Sequence, residues 1–355
     1  MRYIYYIILI LTFSPLAIYA KVDVVSYHNQ INLAELALIQ KDYKAAHSRY
    51  KKAIENFNNI SALNLHNALQ TSISLGYIKT AKHYAWKLSN LGINPLYFTK
   101  SITFAQSLTK DKKWWERLLN NCRKQSDNHK LEYAAYRRKF NELIDTHRQL
   151  MSNKTRKNFK ESPLLSVQYA HLIDSFTNFI KAYGFPTEQI LGIETKNDTL
   201  INEDKAIYGI LSSYYKGLIH NKELDEICLS AVKSGTLDNY NFAQLNDQNP
   251  NFSGRFYGTA NYYFIYNCAI YEDKPVIVEF TKSKDIKGRV DSFRKLIYMD
   301  KLDNSLLKMI YSLTNKDEKF VIRDQFTVVN QFSDNELQAI FLANKRLLAN
   351  LKDCK

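Results

Sequence analysis

Apolar residues in the first third of the chain recur at helical spacing, and the pattern occurs twice. One unit covers residues 33–54 and the second covers residues 68–88. A shift of 35 residues aligns Ala46 with Ala81, and the neighbouring apolar positions align as well. Apolar recurrence of this kind is typical of amphipathic helices. Each unit therefore predicts a helix, a turn and a second helix.

These two units resemble the tetratricopeptide repeat, a helical hairpin of about 34 residues. The resemblance covers residues 30–92. A degenerate third unit follows, with helices predicted over Leu96–Leu108 and Asp111–Lys124. Helical hairpins bury their apolar faces by stacking on one another. The resemblance therefore implies a short array whose inner face binds a peptide or supports an adjoining domain of the chain.

The next stretch has no repeat but keeps the helical periodicity. Ser162 and Pro163 predict the start of a long helix, and Gly184 predicts its end. Shorter helices follow, one capped by Asn202 and another closed by Gly235. The stretch is therefore predicted to form helical hairpins of unequal size.

A strand-like pattern appears in the last third of the chain. The aromatic residues 256–270 and the β-branched residues 276–280 predict a hairpin or a small sheet. Helices return over residues 290–313, and residues 320–329 predict a further strand. A last amphipathic helix is predicted to end near Leu351.

The composition favours helices over a large sheet protein. Ten glycines and six prolines are few for the many tight turns that an all-β chain of 355 residues needs. We therefore predict a mainly α fold, in which a short stack of tetratricopeptide-like helical hairpins precedes an α-helical domain with a small β hairpin or sheet. The predicted divisions are a signal peptide (1–20), a repeat domain (21–127), a helical domain (128–314) and a strand plus C-terminal helix (315–355).

The N-terminus has the layout of a signal peptide. A basic start is followed by the apolar residues 4–13, and Ala20 is a small residue before Lys21. The apolar run is shorter than the roughly 20 residues that span a bilayer. We expect cleavage after Ala20, a secreted or periplasmic protein and no transmembrane segment in the mature chain; a retained signal anchor is the alternative.

The chain carries a net charge of +14, and the charge is uneven. Residues 111–160 contain fourteen Lys/Arg and six Asp/Glu. A basic surface attracts anionic lipids, polysaccharides or nucleic acid. Because a secreted protein rarely meets nucleic acid, we expect no nucleic-acid partner. The alternative is a solvated helix face in a chain rich in lysine.

Four cysteines are present, at positions 122, 228, 268 and 354, and none forms a C-x-x-C pair. That spacing indicates neither a zinc site nor a redox motif. A disulfide between Cys228 and Cys268 is one interpretation in an oxidising compartment. Buried thiols that pack as small hydrophobic side chains are the other.

Familiar catalytic motifs are missing from the sequence. It contains no H-E-x-x-H, no G-x-S-x-G and no glycine-rich phosphate loop. No metal ion and no cofactor is therefore predicted.

A series of short motifs resembles an uncharacterised bacterial domain of unknown function. The motifs cover residues 131–313 and occur in one order: "LIDTHRQL" with Asp145 and Arg148, "YGFPTEQILG", His220, Asp247, "RFYGT" and "VDSFRKLIY". Thr146, Ile219 and Gln248 depart from the pattern of that family, which has Gln, Gln and Arg there. The resemblance carries no known activity.

His220 and Asp247 are the candidate catalytic residues. A histidine titrates near neutral pH and is suited to general-base catalysis, with a carboxylate to orient it. In a structural interpretation His220 instead stabilises the C-terminal end of a helix, and Asp247 caps a loop. No nucleophile accompanies the pair.

The candidate binding residues are Asp145, Arg148, Tyr257, Gly258 and Thr259. Arg148 or Thr259 would hold a substrate, Tyr257 would stack on a sugar ring, and Gly258 permits unusual backbone conformations. The alternatives are structural: a turn that leads into a strand at residues 257–259, and an internal ion pair between Asp145 and Arg148. Asp291 and Arg294 share that spacing and predict a second such pair.

Two hypotheses for the function follow. The first is a non-catalytic binding or scaffold protein, whose repeats and basic face contact a protein or an envelope polymer. The alternative is a hydrolase that uses His220 as general base and Asp247 as its orienting group. An open cleft lined by these two residues would favour the hydrolase.

Overall fold

The computed structural model describes residues 24–154, 163–196, 199–201, 205–214, 221–247, 263–266, 276–279, 284–314, 319–322, 327–329 and 347–350. The predicted signal peptide lies outside them. The mainly α fold is confirmed, with fifteen helices and two small sheets in the described part of the chain. No helix among these residues is both long and apolar enough to cross a membrane.

The helices have the following bounds: α1 Val24–Ile39, α2 Tyr43–Glu55, α3 Ala62–Ser74, α4 Ile78–Asn90, α5 Leu96–Lys100, α6 Ile102–Leu108, α7 Lys112–Glu132, α8 Ala134–Lys154, α9 Pro163–Tyr183, α10 Glu188–Leu191, α11 Lys205–Ser213, α12 Lys222–Lys233, α13 Asn239–Asp247, α14 Lys284–Leu296 and α15 Leu302–Thr314. The strands are β1 Glu194–Lys196, β2 Thr199–Ile201, β3 Tyr263–Tyr266, β4 Val276–Glu279, β5 Thr327–Val329 and β6 Leu347–Asn350.

The N-terminal helices form two packed hairpins, α1 with α2 and α3 with α4. Helices α2 and α4 each contain 13 residues and begin 35 residues apart, which matches the shift read from the sequence. Ala46 and Ala81 are both completely buried, so the small side chains lie where helices meet. Asp42 caps α2, because its side chain accepts a hydrogen bond from the amide of Ala45 at 2.9 Å.

The third unit differs from the prediction in one respect. The single helix predicted over Leu96–Leu108 is two helices, α5 and α6, separated at Ser101. Ser101 has extended backbone angles (φ −77°, ψ 113°), and its hydroxyl accepts from the amide of Phe104 at 3.4 Å. A serine in this conformation begins a new helix and so ends the previous one.

The helix ends predicted at two glycines are confirmed. Helix α9 ends before Gly184, which has φ +83°, and α12 ends shortly before Gly235, which has φ +72°. Glycine adopts this left-handed conformation without the steric cost that other residues meet.

Two sheets lie in the C-terminal half. Strands β1 and β2 form an antiparallel pair, and the second sheet has the order β5-β3-β4-β6. In that sheet β3 is antiparallel to β4 and parallel to β5, while β6 is antiparallel to β4. The strand predicted over residues 276–280 is confirmed as β4. Of the strand predicted over residues 320–329, residues 327–329 form β5, and residues 320–322 are not in a strand.

The predicted C-terminal helix is wrong at its end, because residues 347–350 form strand β6. A short apolar run fits the period of a helix or of a strand equally well. Pairing with the edge of β4 decides in favour of the strand.

Buried residues form two clusters. The first joins α1–α7, and the second joins α8–α13 with Ile297 from the turn after α14. Phe320 and Ile322, which follow α15, belong to the first cluster. The segment after α15 therefore packs against the N-terminal repeats, although it follows the second cluster in the sequence.

Candidate functional site

Asp145 and Arg148 lie on the surface of α8 and contact each other. The Arg148 Nη1 atom is 3.1 Å from the Asp145 Oδ1 atom, and both side chains are more than half exposed. This is the internal ion pair of the structural interpretation, and exposed pairs of this kind contribute little to stability.

Asp247 is the last residue of α13 and is half-buried. His220, Tyr257, Gly258 and Thr259 lie outside the described residues. The assembly of a catalytic site from His220 and Asp247 therefore remains a prediction. Among the described residues, no group of three or more His, Cys, Asp or Glu side chains is arranged to hold a metal ion.

A buried ionic cluster joins the repeats to the last helices, and Lys308 of α15 is at its centre. The ammonium group donates to Glu35 Oε2 of α1 at 2.5 Å and to Asn32 Oδ1 at 3.2 Å. It also lies 2.9 Å from Asp300 Oδ2. The buried ammonium therefore has two hydrogen-bond acceptors and a second carboxylate as an ion-pair partner.

Arg294 of α14 completes the cluster. Its Nη2 atom lies 3.1 Å from Asp300 Oδ1, and its Nε atom donates to the backbone carbonyl of Asp300 at 2.6 Å. The predicted pair between Asp291 and Arg294 is wrong. Asp291 instead accepts from the amide of Leu302 at 2.8 Å, at the start of α15, where a helix leaves amides without internal partners.

The charges of the cluster shift the pKa values of its members. Burial alone would lower the pKa of Lys308, but the carboxylates of Asp300 and Glu35 outweigh burial and raise it. Burial alone would raise the pKa of Asp300, but Lys308 and Arg294 lower it below its ordinary value. Lys308 and Asp300 are thus both charged near neutral pH, and the cluster pairs two basic side chains with two acidic ones.

A polar cavity of about 110 Å³ adjoins this cluster. Two further carboxylates in its wall cap helices. Glu188 accepts from the amide of Ala62 at 2.7 Å, at the start of α3, and Asp238 accepts from the amide of Asn241 at 2.9 Å, near the start of α13. The polar groups here hold the helices together, so we assign the cavity a structural role.

The chain's own residues 319–322 cover one side of α3. Asn67 donates from Nδ2 to the carbonyl of Val321 at 2.7 Å, and its Oδ1 accepts from the amide of Val321 at 3.0 Å. His66 Nε2 lies 3.1 Å from the carbonyl of Lys319, to which it donates. Phe320 and Ile322 are buried on either side of the half-exposed Val321. We call residues 319–322 the strap.

Charge is divided sharply between the helices of the repeats. Helices α1 and α3 contain a single charged residue, Glu35, which is buried against Lys308. Residues 41–133 contain sixteen Lys/Arg and six Asp/Glu, and all sixteen cations are at least partly exposed. We call the side of the repeats formed by α1 and α3 the inner side, because α15 and the strap contact these two helices, and we call the side of the remaining helices, which carry the cations, the outer side.

Helices α4 and α7 pack against each other and carry much of this charge. At their contact, Lys82 lies 2.7 Å from Asp111 and 4.9 Å from the centre of the Trp114 ring. We define the basic face as the exposed or partly exposed cations of these two helices: Lys79, Lys82, Lys87, Lys112, Lys113, Arg117, Arg123, Lys124 and Lys130.

Neither a protein-family model, nor a curated protein, nor a solved structure matches this chain. The resemblances to tetratricopeptide repeats and to an uncharacterised bacterial domain therefore remain predictions.

The sequence pattern alone does not single out Glu35, Asn67 or Lys308. One signal was present: Glu35 is the only charged residue among the 16 residues of α1. A lone carboxylate of this kind indicates a buried partner, but the partner itself lies 273 positions away in the sequence.

Proposed function

We propose that this is an exported, non-catalytic binding protein whose basic face contacts an acidic polymer of the cell envelope. One observation carries the proposal: the repeats separate an almost uncharged inner side from a strongly basic outer side. Uniform cationic surfaces attract polyanions over distance and with little dependence on local sequence. A repetitive acidic polysaccharide is the partner that such a surface suits.

The inner side of the repeats supports a scaffold role. The strap covers α3 through Asn67 and His66, and α15 contacts α1 through Lys308 and Glu35. These contacts occupy polar groups that a peptide partner would need. An external partner is therefore expected on the outer helices.

The ionic cluster supports a non-catalytic role. The Lys308 ammonium donates to Glu35 and Asn32 and forms an ion pair with Asp300, and Arg294 is bound to both the side chain and the backbone of Asp300. A catalytic group needs a free bond for its substrate. The hydrolase that uses His220 and Asp247 remains the alternative prediction.

Binding of purified protein to polygalacturonate, measured against salt concentration, tests the proposal. We expect binding that weakens steeply between low and physiological salt, as counterions are released. The triple variant Lys79→Glu/Lys113→Glu/Arg117→Glu should lose about tenfold in affinity at low salt.

The matched control is Lys233→Glu/Lys295→Glu/Lys301→Glu, which makes the same change in net charge at exposed residues outside the repeats. We expect it to lose less than about threefold. Absence of binding by the unchanged protein at low salt would refute the proposal. Equal losses in the two variants would show that net charge alone, and not the basic face, determines binding.

A further inference from the structure

A second cleft lies at the C-terminal end of the basic face. It opens where the turn at residues 92–95 meets the later part of α7 and the segment 191–196, and its volume is about 810 Å³. Clefts of roughly 300–1,000 Å³ are typical of sites for small ligands. This cleft is large enough for one unit of a polymer.

Four cations line the cleft. Arg123 and Lys130 come from α7, Arg137 from α8 and Lys196 from β1. The only carboxylate that lines it among the described residues is Asp127, which lies 3.5 Å from Lys130. Both members of that pair are more than half exposed, so neither is locked by the other.

Three polar atoms in the same walls are buried without a hydrogen-bond partner: Arg137 Nε, Thr195 Oγ1 and His129 Nδ1. Buried polar groups in native proteins almost always have partners. The Arg137 Nε–H can only donate, and the threonine hydroxyl can donate. These two groups would be satisfied by a ligand that brings hydrogen-bond acceptors.

The orientation of Arg137 is set by the backbone opposite. Its Nη2 atom donates to the carbonyls of Ile190 and Leu191. Gly192 lies directly beside it, since a Cβ atom there would be 3.4 Å from Arg137 Nη2. Gly192 also has φ +78°, a conformation that favours glycine. The segment therefore holds the guanidinium at the wall of the cleft.

We propose that this cleft, which we call the Arg137 cleft, binds one acidic group of the polymer, a carboxylate or a sulfate or phosphate ester. The inference rests on the proposed function. Arg123, Lys130 and Lys196 attract the anion at the mouth, and Arg137 and Thr195 donate to it from the wall. Planar guanidinium groups match the paired oxygens of such anions.

The direct test is the NMR signal of the Arg137 Nε–H group, assigned through its loss in Arg137→Lys. Titration with digalacturonate should shift this signal, and a neutral galactose disaccharide should leave it unchanged. Parallel titrations with inorganic phosphate and sulfate show which anion shifts it at the lowest concentration. If no anion shifts the signal, the inference is wrong.

Arg137→Lys also loses the hydrogen bonds to the carbonyls of Ile190 and Leu191. A second variant therefore tests the cleft and leaves Arg137 unchanged. The change Arg123→Gln/Lys196→Gln removes two exposed cations of the mouth and should weaken polygalacturonate binding about tenfold. The comparison variant Lys112→Gln/Arg117→Gln removes two exposed cations of the basic face that lie on α7 outside the cleft. It should weaken binding by a smaller factor, about threefold, because it takes charge from the basic face but no group from the cleft.

The outcomes separate the two proposals. If the protein binds the polymer but both double variants weaken binding equally, the Arg137 cleft is not the site and the proposed function stands. If the Arg137 signal shifts with small anions but the polymer does not bind, the cleft is an anion site and the proposed function fails.

Discussion

The ammonium of Lys308 lies 2.5 Å from the carboxylate of Glu35, although the two residues are 273 positions apart. Both side chains are about 95% buried, so water does not screen them. The pair fastens the last described helix, α15, to the first, α1. It is part of a four-charge cluster that closes the inner side of the repeats.

Replacement of Lys308 by Met should destabilise the protein strongly. The change leaves the carboxylates of Glu35 and Asp300 buried with less positive charge, and loss of one partner of a buried pair costs about 3–5 kcal/mol. Urea unfolding measures the change in the free energy of unfolding. Lys301→Met, at an exposed position nearby, is the control and should change it by less than about 0.5 kcal/mol. A loss below about 1 kcal/mol in Lys308→Met would contradict the ionic role.

Asp300 should make stability depend on pH at the acid end. Its pKa in the folded protein is lowered, so its contribution is present above the ordinary pKa of 3.8 and is lost as the pH falls through the lower folded value. We expect the free energy of unfolding, measured with urea between roughly pH 2 and 5, to fall less with decreasing pH in Asp300→Asn than in the unchanged protein. Asp303→Asn, at an exposed carboxylate, should keep the dependence of the unchanged protein.

Asn67 should hold the strap in place. Asn67→Ala removes both hydrogen bonds to Val321 and should cost about 1–3 kcal/mol, because the backbone groups lose their partner. Amide exchange of Val321 should then be faster, and urea unfolding should show the loss of stability. In Asn67→Asp, which retains an acceptor for the Val321 amide, the exchange should stay slower than in Asn67→Ala. An unchanged rate of Val321 amide exchange in Asn67→Ala would contradict the role of Asn67 in holding the strap.

Gly235 and Gly76 form a matched pair for a test of the packing between the two clusters of buried residues. Both have φ near +71°, so alanine should cost about 1–2 kcal/mol at either position. A Cβ atom at Gly235 would also lie 2.5 Å from the ring of Phe57, whereas nothing lies within 4 Å at Gly76. Gly235→Ala should therefore lose about 1–3 kcal/mol more than Gly76→Ala in thermal or urea unfolding. Equal losses would show that the Phe57 ring moves aside freely.

Local patterns predicted most of the helices well. Aligned small residues such as Ala46 and Ala81, and terminal glycines such as Gly184, act within a few residues of the chain, and so the sequence displays them directly. The errors occurred where a distant element decided the outcome. Residues 347–350 form a strand because they pair with the edge of β4. Arg294 forms its ion pair with Asp300 and not with Asp291.

The candidate sites divide in the same way. The excess of cations over residues 111–160, which include α7, is a property of composition, and the sequence alone showed it. That the cations of α4 lie beside those of α7 depends on how these two helices pack. That Arg123 and Lys196 line one cleft with Arg137 depends on how the segment 191–196 lies beside α7, which no local pattern encodes.

By itself the sequence determined the mainly α class, the repeat of 35 residues and the net positive charge, because periodicity, turn residues and charge are local properties. Only the tertiary structure decided which surface of the repeats is closed. That decision depends on Glu35 meeting Lys308 and on Asn67 meeting Val321, and pairs so far apart in the chain come together only when the cores pack.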